Sequence, residues 1–273
     1  MGARGRMGGW FAKLFRSHGC LVYELDRDSS AEDQLKAFQS SNSVLVSVPI
    51  SEVEKVIRLM IPKLKTDTLL FDLTSLKVKP LAAMLEHKGE VVGLHPMCAP
   101  SEVGLVNQPV VVCRGRSGQK TQGLLAILSQ LGARIREMDA DQHDKLMAIV
   151  QGLHHFYAIA FAHSLRTLGI TPEETMQVSS PVYELRTHLM GRILAQDPNL
   201  YVDIELENPY VTEVLNAYER SVTQCNEIIQ RGSRTEALAF FQQAVEGFGD
   251  YRFEALKQSD ALLVLRQRIG AKE

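Results

Sequence analysis

Through the first half of the chain, short runs of nearly unbroken apolar residues alternate with segments whose apolar positions recur every three or four residues. "CLVYELD" (20–26), "SVLVSVPI" (43–50), "TLLFDLTSL" (68–76), "VVGLHPM" (91–97) and "QPVVVCRG" (108–115) have the length and branched-chain content of strands. Between them, "SEVEKVIRLMIPKL" (51–64) sets Val53, Val56, Ile57, Met60 and Ile61 at helical spacing, with Ser51 as N-cap and Glu54 as its capping-box partner. Strands apolar on both faces, separated by helices, predict a parallel sheet covered on both sides. From residue 140 onward no strand pattern remains, and helical periodicity is broken only at "GITPEE", "DPNLY", "ENPY" and "RGSR". The pattern predicts an α/β domain over 1–139 and an all-helical domain over 140–273. Several of the later helices are apolar on more than one face and need a partner, either the first domain or a second copy of the chain.

The opening "MGARGRMGGW" raises the first chemical question. It reads as a glycine loop entering an amphipathic helix, "GGWFAKLFRSHG". Against the G-x-G-x-x-G pattern, Gly5 and Gly8 take the second and third places. Ala3 takes the first, with Gly2 one position early. Gly5, Arg6, Met7 and Gly8 would turn backbone N–H groups and a helix N-terminus toward a pyrophosphate. Asp26 closes the following strand, 21 residues after Gly5. A carboxylate there accepts from ribose hydroxyls and repels a 2′-phosphate, which predicts NAD over NADP. A Rossmann-type sheet has a central strand ahead of this loop, and here only Met1 stands in front of it. The first strand is apparently missing. The expectation is a reading frame that starts upstream, with Met1 at the strand's last position; a decayed chain with poor cofactor affinity is the alternative.

Composition narrows the classes. The chain has 273 residues, 45% hydrophobic and 23% charged, with a formal net charge of −2. That balance argues against a nucleic-acid partner. No apolar run approaches a membrane span, and no secretory signal follows Arg4 and Arg6, so a cytoplasmic location is expected. Cys20, Cys98, Cys113 and Cys225 are scattered, which argues against a disulfide scaffold or a zinc site. "LHHF" has no third ligand at suitable spacing, so no metal is expected.

The segments "GARGRMGGWFAKLF", "VLVSVPI", "LLFDLTSLK", "GLHPM", "HDKLMAIVQGLHHF", "SSPVYEL", "GRILAQDPNLYVDI" and "GFGDY" follow one another as in the prephenate dehydrogenase family. The chain most resembles the dehydrogenase half of the bifunctional, T-protein-like chorismate mutase/prephenate dehydrogenases. The resemblance spans essentially the whole chain and is most specific in "DLTSLK", "GLHPM" and "GRILAQDPNLY". It implies a Rossmann-type NAD domain, a helical dimerisation domain and a homodimer. It also implies NAD-dependent oxidative decarboxylation of prephenate to 4-hydroxyphenylpyruvate in tyrosine biosynthesis. In that chemistry a histidine draws the proton from the ring C4 hydroxyl as hydride leaves C4.

By the resemblance, His95 is that acceptor and Ser75 the serine bonded to it and to the substrate. Arg192 grips a substrate carboxylate with its guanidinium fork. Lys77, His155, Gln196 and Tyr201 complete the substrate pocket. Ser47, Val48 and Pro49 of "VLVSVPI" join Gly5, Arg6, Met7, Gly8 and Asp26 on the cofactor side. Read as bare sequence, the same residues are a strand-end histidine, a serine cap, solvated cations, and a core histidine and tyrosine. Three departures stand out: Ala3 in the loop, Cys98-Ala99 where the family has Phe-Gly, and Glu184 where relatives carry Arg, with Arg186 two places on. Arogenate and 4-amino-4-deoxyprephenate remain alternative substrates. A catalytically silent binding module is the alternative class, and a 3-hydroxy acid dehydrogenase would need a lysine base for which Lys145 is only a loose candidate.

Overall fold

The computed structural model describes residues 1–270. In chain order the elements are α1 (Arg6–Ser17), α2 (Ala31–Ser40), β1 (Ser43–Val46), α3 (Ile50–Met60), β2 (Leu69–Asp72), α4 (Val78–Met84), β3 (Val91–Pro96), β4 (Pro109–Arg116), α5 (Gln119–Gln130), β5 (Arg134–Glu137) and α6 (Ala140–Met147). There follow α7 (His154–Leu168), α8 (Pro172–Met176), α9 (Pro181–Leu194), α10 (Pro198–Glu207), α11 (Val211–Arg231), α12 (Arg234–Phe248) and α13 (Tyr251–Gly270). A wide π-type stretch, Ala148–Leu153, lies between α6 and α7. No helix among the described residues is long and apolar enough to cross a membrane.

Two compact units form. One holds Met1–Gly152 and Pro198–Val211; the other holds Leu153–Asp197 and the chain from Thr212. This partition runs past the boundary expected at 139. Residue chemistry explains why α6 stays with the sheet. Asp144 on α6 accepts from the backbone N–H groups of Lys77 and Val78 at 2.8 and 2.9 Å. Asn208, just beyond α10, donates to the Asp144 carbonyl at 2.8 Å. Gly152 lets Val211 approach, since a Cβ there would lie 2.7 Å from its Cγ2.

The first unit is a five-stranded sheet in the order β1-β2-β3-β4-β5. β1–β2, β2–β3 and β4–β5 are parallel, whereas β3–β4 is antiparallel. The all-parallel expectation fails at that pair. The reason is local: no helix lies between Pro96 and Pro109, and a return without a crossover helix must run antiparallel. β5 escaped the apolar pattern because "RIRE" is a charged, largely exposed edge strand. Along β2 the alternation of faces is plain. Leu70 packs with Val46, Ile57 and Met84 on one side; Leu69 and Phe71 pack with Phe11, Val92 and Leu94 on the other.

Helix starts follow side-chain chemistry in several places. Ser30 accepts from Asp33 N–H, Asp139 from Gln142 N–H, and Thr171 with Glu174 forms a full capping box. α3 departs from expectation. It begins at Ile50 behind Pro49, and Ser51 is already helical, its hydroxyl turned to Asp203 on α10 at 3.0 Å. Pro49 supplies the preset φ of −51° that a serine cap was expected to provide.

The expected strand at 20–26 is not formed as one: the segment joins no ladder. Leu25 packs in the core cluster with Val44 and Val46 of β1, while the backbone hydrogen bonds between the two segments pass through the chain's first residues. The Met1 amine donates to Leu45 O at 2.8 Å, and Ser47 N–H donates to Met1 O at 3.0 Å, the two bonds of a parallel bridge. Gly2 and Ala3 N–H groups donate to Leu25 O at 2.9 and 3.1 Å. Met1 and Gly2 thus sit between the two segments as the tip of a strand. Below them lies a groove of about 360 Å³, walled by Leu21–Leu25 and Ser43–Leu45 and floored by Phe15, Phe38 and Phe71.

The second unit is wholly helical, as expected. Within it the Arg186 guanidinium lies 4.7 Å from the Tyr157 ring centroid, and Glu184 pairs with Arg266.

Candidate active site

β1, β2 and β3 are parallel, so their C-terminal ends lie along one edge of the sheet. That edge carries Ser47–Pro49, Thr74–Lys77 and His95 in turn. It is the edge at which ligands bind in open α/β sheets.

The glycine loop sits beside the end of β1. Gly2, with φ of +83°, makes the tight turn, and a Cβ there would lie 2.1 Å from Ser47 O. A Cβ on Gly8 would lie 2.2 Å from Gly2 O. Ala3 was read as a weakened first glycine, and that reading is corrected: the turn falls on Gly2, and Ala3 has no positive φ. α1 begins at Arg6 with no side-chain cap and no acid in its first turn. Its leading N–H groups, with the positive end of the helix dipole, suit a pyrophosphate.

Asp26 closes this cradle. Its two oxygens accept from Arg4 N–H at 3.0 Å and Arg27 N–H at 2.8 Å. Burial works to raise its pKa, but these bonds outweigh it and hold the carboxyl below the usual carboxylate range. The Arg4 side chain pairs with Asp28 at 2.5 Å.

His95 ends the apolar run of β3 and is 4% exposed. Burial first, then His143 and Lys77 nearby, push its imidazole well below the usual histidine range. It is therefore neutral at physiological pH. Its Nδ1 lies 2.9 Å from His143 Nε2, and its Nε2 lies 3.5 Å from Gln151 Nε2. His143 Nδ1 in turn lies 2.7 Å from Asp144 Oδ1.

Ser75 is half-buried in the turn after β2, and the ring nitrogens of His95 meet His143 and Gln151 rather than its hydroxyl. Lys77 is fully buried. Its Nζ donates to Asp72 Oδ2 at 2.6 Å and to Leu94 O at 2.8 Å, beside His95. The stem passes under β3 only because Gly93 has no side chain: a Cβ there would lie 2.9 Å from Lys77 Cδ. Tyr201 is half-buried on α10 in this same unit, past the break at Asp197-Pro198.

The other expected substrate residues belong to the second unit. Arg192 is exposed in the last turn of α9, and Gln196, just beyond, donates to its carbonyl at 3.0 Å. His155 is buried on α7, and burial together with His154 lowers its pKa to about 4. Cys98 packs among apolar side chains, and burial raises its thiol, so it is a filler rather than a reactive thiolate.

Sequence reasoning overlooked His143 and Asp144 as site residues. The signal was there: an adjacent His–Asp pair in "DQHDK", on the helix face that also carries Met147, buried although charged residues flank it.

Comparison with known proteins bears on this geometry. Residues 22–137 match the model for the prephenate dehydrogenase nucleotide-binding domain, and residues 139–243 match that for the prephenate dehydrogenase dimerization domain. A T-protein of Enterobacter agglomerans is 34% identical over 264 residues, covering 96% of this chain and 70% of the relative. A probable arogenate/prephenate dehydrogenase of Methanocaldococcus jannaschii is 30% identical, covering 91% of this chain and 60% of the relative. In fold, the chain is similar to the prephenate dehydrogenase of A. aeolicus solved with hydroxyphenyl propionate and NAD+. The TM-score is 0.67 at 22% identity, covering 92% of this chain and 95% of that one.

Proposed function

Because this chain belongs to the prephenate dehydrogenase family, we propose that it oxidises and decarboxylates prephenate to 4-hydroxyphenylpyruvate, with NAD+ as the hydride acceptor. The observation that carries this reading is His95: a buried, neutral imidazole at the ligand-facing edge of the sheet, on the same edge as the glycine loop. Bound NAD+ supplies a nicotinamide ring that takes up hydride. Gly2, Gly5 and Gly8 would admit its pyrophosphate to the N-terminus of α1. Asp26 would hold the ribose hydroxyls and oppose a 2′-phosphate.

The residues of the chain do the rest. His95 accepts the proton of the C4 hydroxyl while the C4–H bond breaks with its electron pair leaving as hydride. The ring carboxylate departs as carbon dioxide, the electrons of that C–C bond complete the aromatic ring, and the C4 oxygen, which receives the displaced carbonyl pair, takes the proton back from His95 to give the phenol. Lys77, with its charge balanced by Asp72 inside the sheet, holds the edge of β2 against β3 and discourages protonation of His95 in the resting state. Ser75 in the β2 turn, Tyr201 on α10, and Arg192, Gln196 and His155 in the helical unit are assigned to the substrate. We assign homodimer formation to the helical unit, where Phe241, Phe248, Phe253 and Leu256 are exposed apolar side chains.

The test is a direct assay. The purified chain is given NAD+ or NADP+ with prephenate, arogenate or 4-amino-4-deoxyprephenate, and reduced nicotinamide is followed by absorbance. Fastest turnover is expected with prephenate and NAD+. His95→Asn should lower kcat by about 10³-fold or more while NAD+ binding is retained. A preference for another substrate would move the assignment within the family, and no turnover with any of them would favour a silent binding module.

A further inference from the structure

The proton on His95 has two possible seats, and only one leaves a lone pair for the substrate. We propose that His143 and Asp144 are positioning residues that fix this proton on Nδ1, so that Nε2 is the bare nitrogen that accepts from the substrate. The proposal rests on His95 being the proton acceptor.

The argument starts at Asp144, 1% exposed on α6. Its Oδ1 accepts from Lys77 N–H at 2.8 Å and its Oδ2 from Val78 N–H at 2.9 Å. Backbone amides cannot reverse their role, so both oxygens act as acceptors. Oδ1 also lies 2.7 Å from His143 Nδ1, so the hydrogen of that contact belongs to the imidazole. With its Nδ1–H committed to Asp144, His143 is left with Nε2, which faces His95 Nδ1 at 2.9 Å. Two ring nitrogens at that distance share one hydrogen, and the proposal seats it on His95. The chain of donors reads His95 Nδ1–H to His143 Nε2, then His143 Nδ1–H to the Asp144 carboxylate.

The remaining nitrogen of His95 is Nε2. Its neighbour, Gln151 Nε2, lies 3.5 Å away, too long for a strong bond and open to replacement by a substrate hydroxyl. When His95 takes the proton, its bond to His143 becomes charge-assisted, and the carboxylate beyond it favours the new positive charge. The array is rigid. His95 is held in the register of β3, the two imidazoles meet edge to face with centroids 5.1 Å apart, and Asn208 clamps the Asp144 carbonyl. Neither His143 nor Asp144 need touch the substrate.

Imidazole ¹⁵N NMR of the full chain tests this without turnover. The two-bond couplings to the ring carbon protons distinguish a protonated from a bare nitrogen. Wild-type protein at neutral pH should show His95 with a bare Nε2. His143→Leu, which removes the acceptor, should give a mixture of the two tautomers. His143→Gln, whose amide oxygen can accept in its place, should restore the wild-type pattern. In assay, His143→Leu should lower kcat about 100-fold with KM little changed, and His143→Gln should recover most of that loss. A wild-type His95 protonated on Nε2 would overturn the proposal, as would a His143→Leu protein with the wild-type tautomer or the wild-type kcat. The wild-type spectrum needs no variant to fold and no substrate to be known. Failure of the substrate assignment therefore leaves this test standing.

Discussion

Two regions on one edge of the sheet solve the same problem differently. Around His95 most buried polar groups are met from within, although Asp72 Oδ1 and Gln151 Oε1 have no hydrogen-bond partner among the described residues. Lys77 crosses to Asp72, Asp144 takes two backbone donors and a histidine, and Asn208 closes the far side. Around the glycine loop the backbone bonds are carried by Met1, Gly2 and Ala3, over a groove of about 360 Å³ where Cys20–Asp26 and β1 run apart. The catalytic side is pinned by buried charge and the cofactor side by a few backbone bonds. Charge inside a sheet is rigid but unforgiving, because either partner alone is a buried, uncompensated ion. Backbone bonds at an edge are individually weaker and leave the geometry to one residue's conformation.

The largest test of that contrast removes one charge. Lys77→Met keeps the length of the stem but strands Asp72, which is 0% exposed. The expected cost is about 3–5 kcal/mol, read as a fall in Tm of roughly 10 °C. Asp72→Asn in the Lys77→Met background should recover part of it. A Lys77→Met protein with wild-type Tm would show that the catalytic side is not held by this pair.

The next test strikes the cofactor side. Gly2→Ala forces an L side chain into φ of +83° and a Cβ to 2.1 Å from Ser47 O. The conformation alone costs about 1–3 kcal/mol, and the overlap with backbone must displace the loop. NAD+ affinity measured by titration should fall at least 10-fold. Ala3→Gly should change it by less than 2-fold, because Ala3 meets no such demand. The opposite ranking would return the turn to position 3.

These outcomes bear on what the sequence disclosed. The strands β1 to β4 were legible because buried strands are unbroken apolar runs, and α1 because one face is apolar and the other charged. β5 was not, since an exposed edge strand needs no apolar pattern. The turn glycine was misplaced by one residue because the spacing pattern was counted back from Gly5, whereas the turn is set by the positive φ of Gly2, which spacing does not show. Lys77 was expected near the substrate. Only the third dimension shows that Gly93 opens a passage for it beneath β3. His143 and Asp144 were quoted in a motif yet given no role, because a contact between residues 95 and 143 has no local signature.

The smallest effect is the most informative about the open edge. The Met1 amine is buried, donates to Leu45 O, and is lowered to about 6 by burial, which the Asp26 charge partly offsets. Its ordinary value is 8.0. A cation whose folded pKa is depressed gives stability that is complete above the unfolded value and is lost as pH falls through the folded one. Here that window runs from 8.0 down to about 6, and two units correspond to roughly 2–3 kcal/mol. Joining about five apolar residues, a strand's length, to Met1 replaces the amine with a peptide N–H that makes the same bond without charge. The added backbone can also pair with Ser43–Leu45 on one side and Leu21–Leu25 on the other, filling the groove between them. The extended protein should gain Tm by a few degrees, more at pH 6 than at pH 8.5. A polar, Gly/Ser-rich extension should remove the pH dependence but not raise Tm at pH 8.5, since it neutralises the amine without burying apolar surface. Equal gains from both extensions would mean that charge, not the unfilled groove, sets the weakness of this edge.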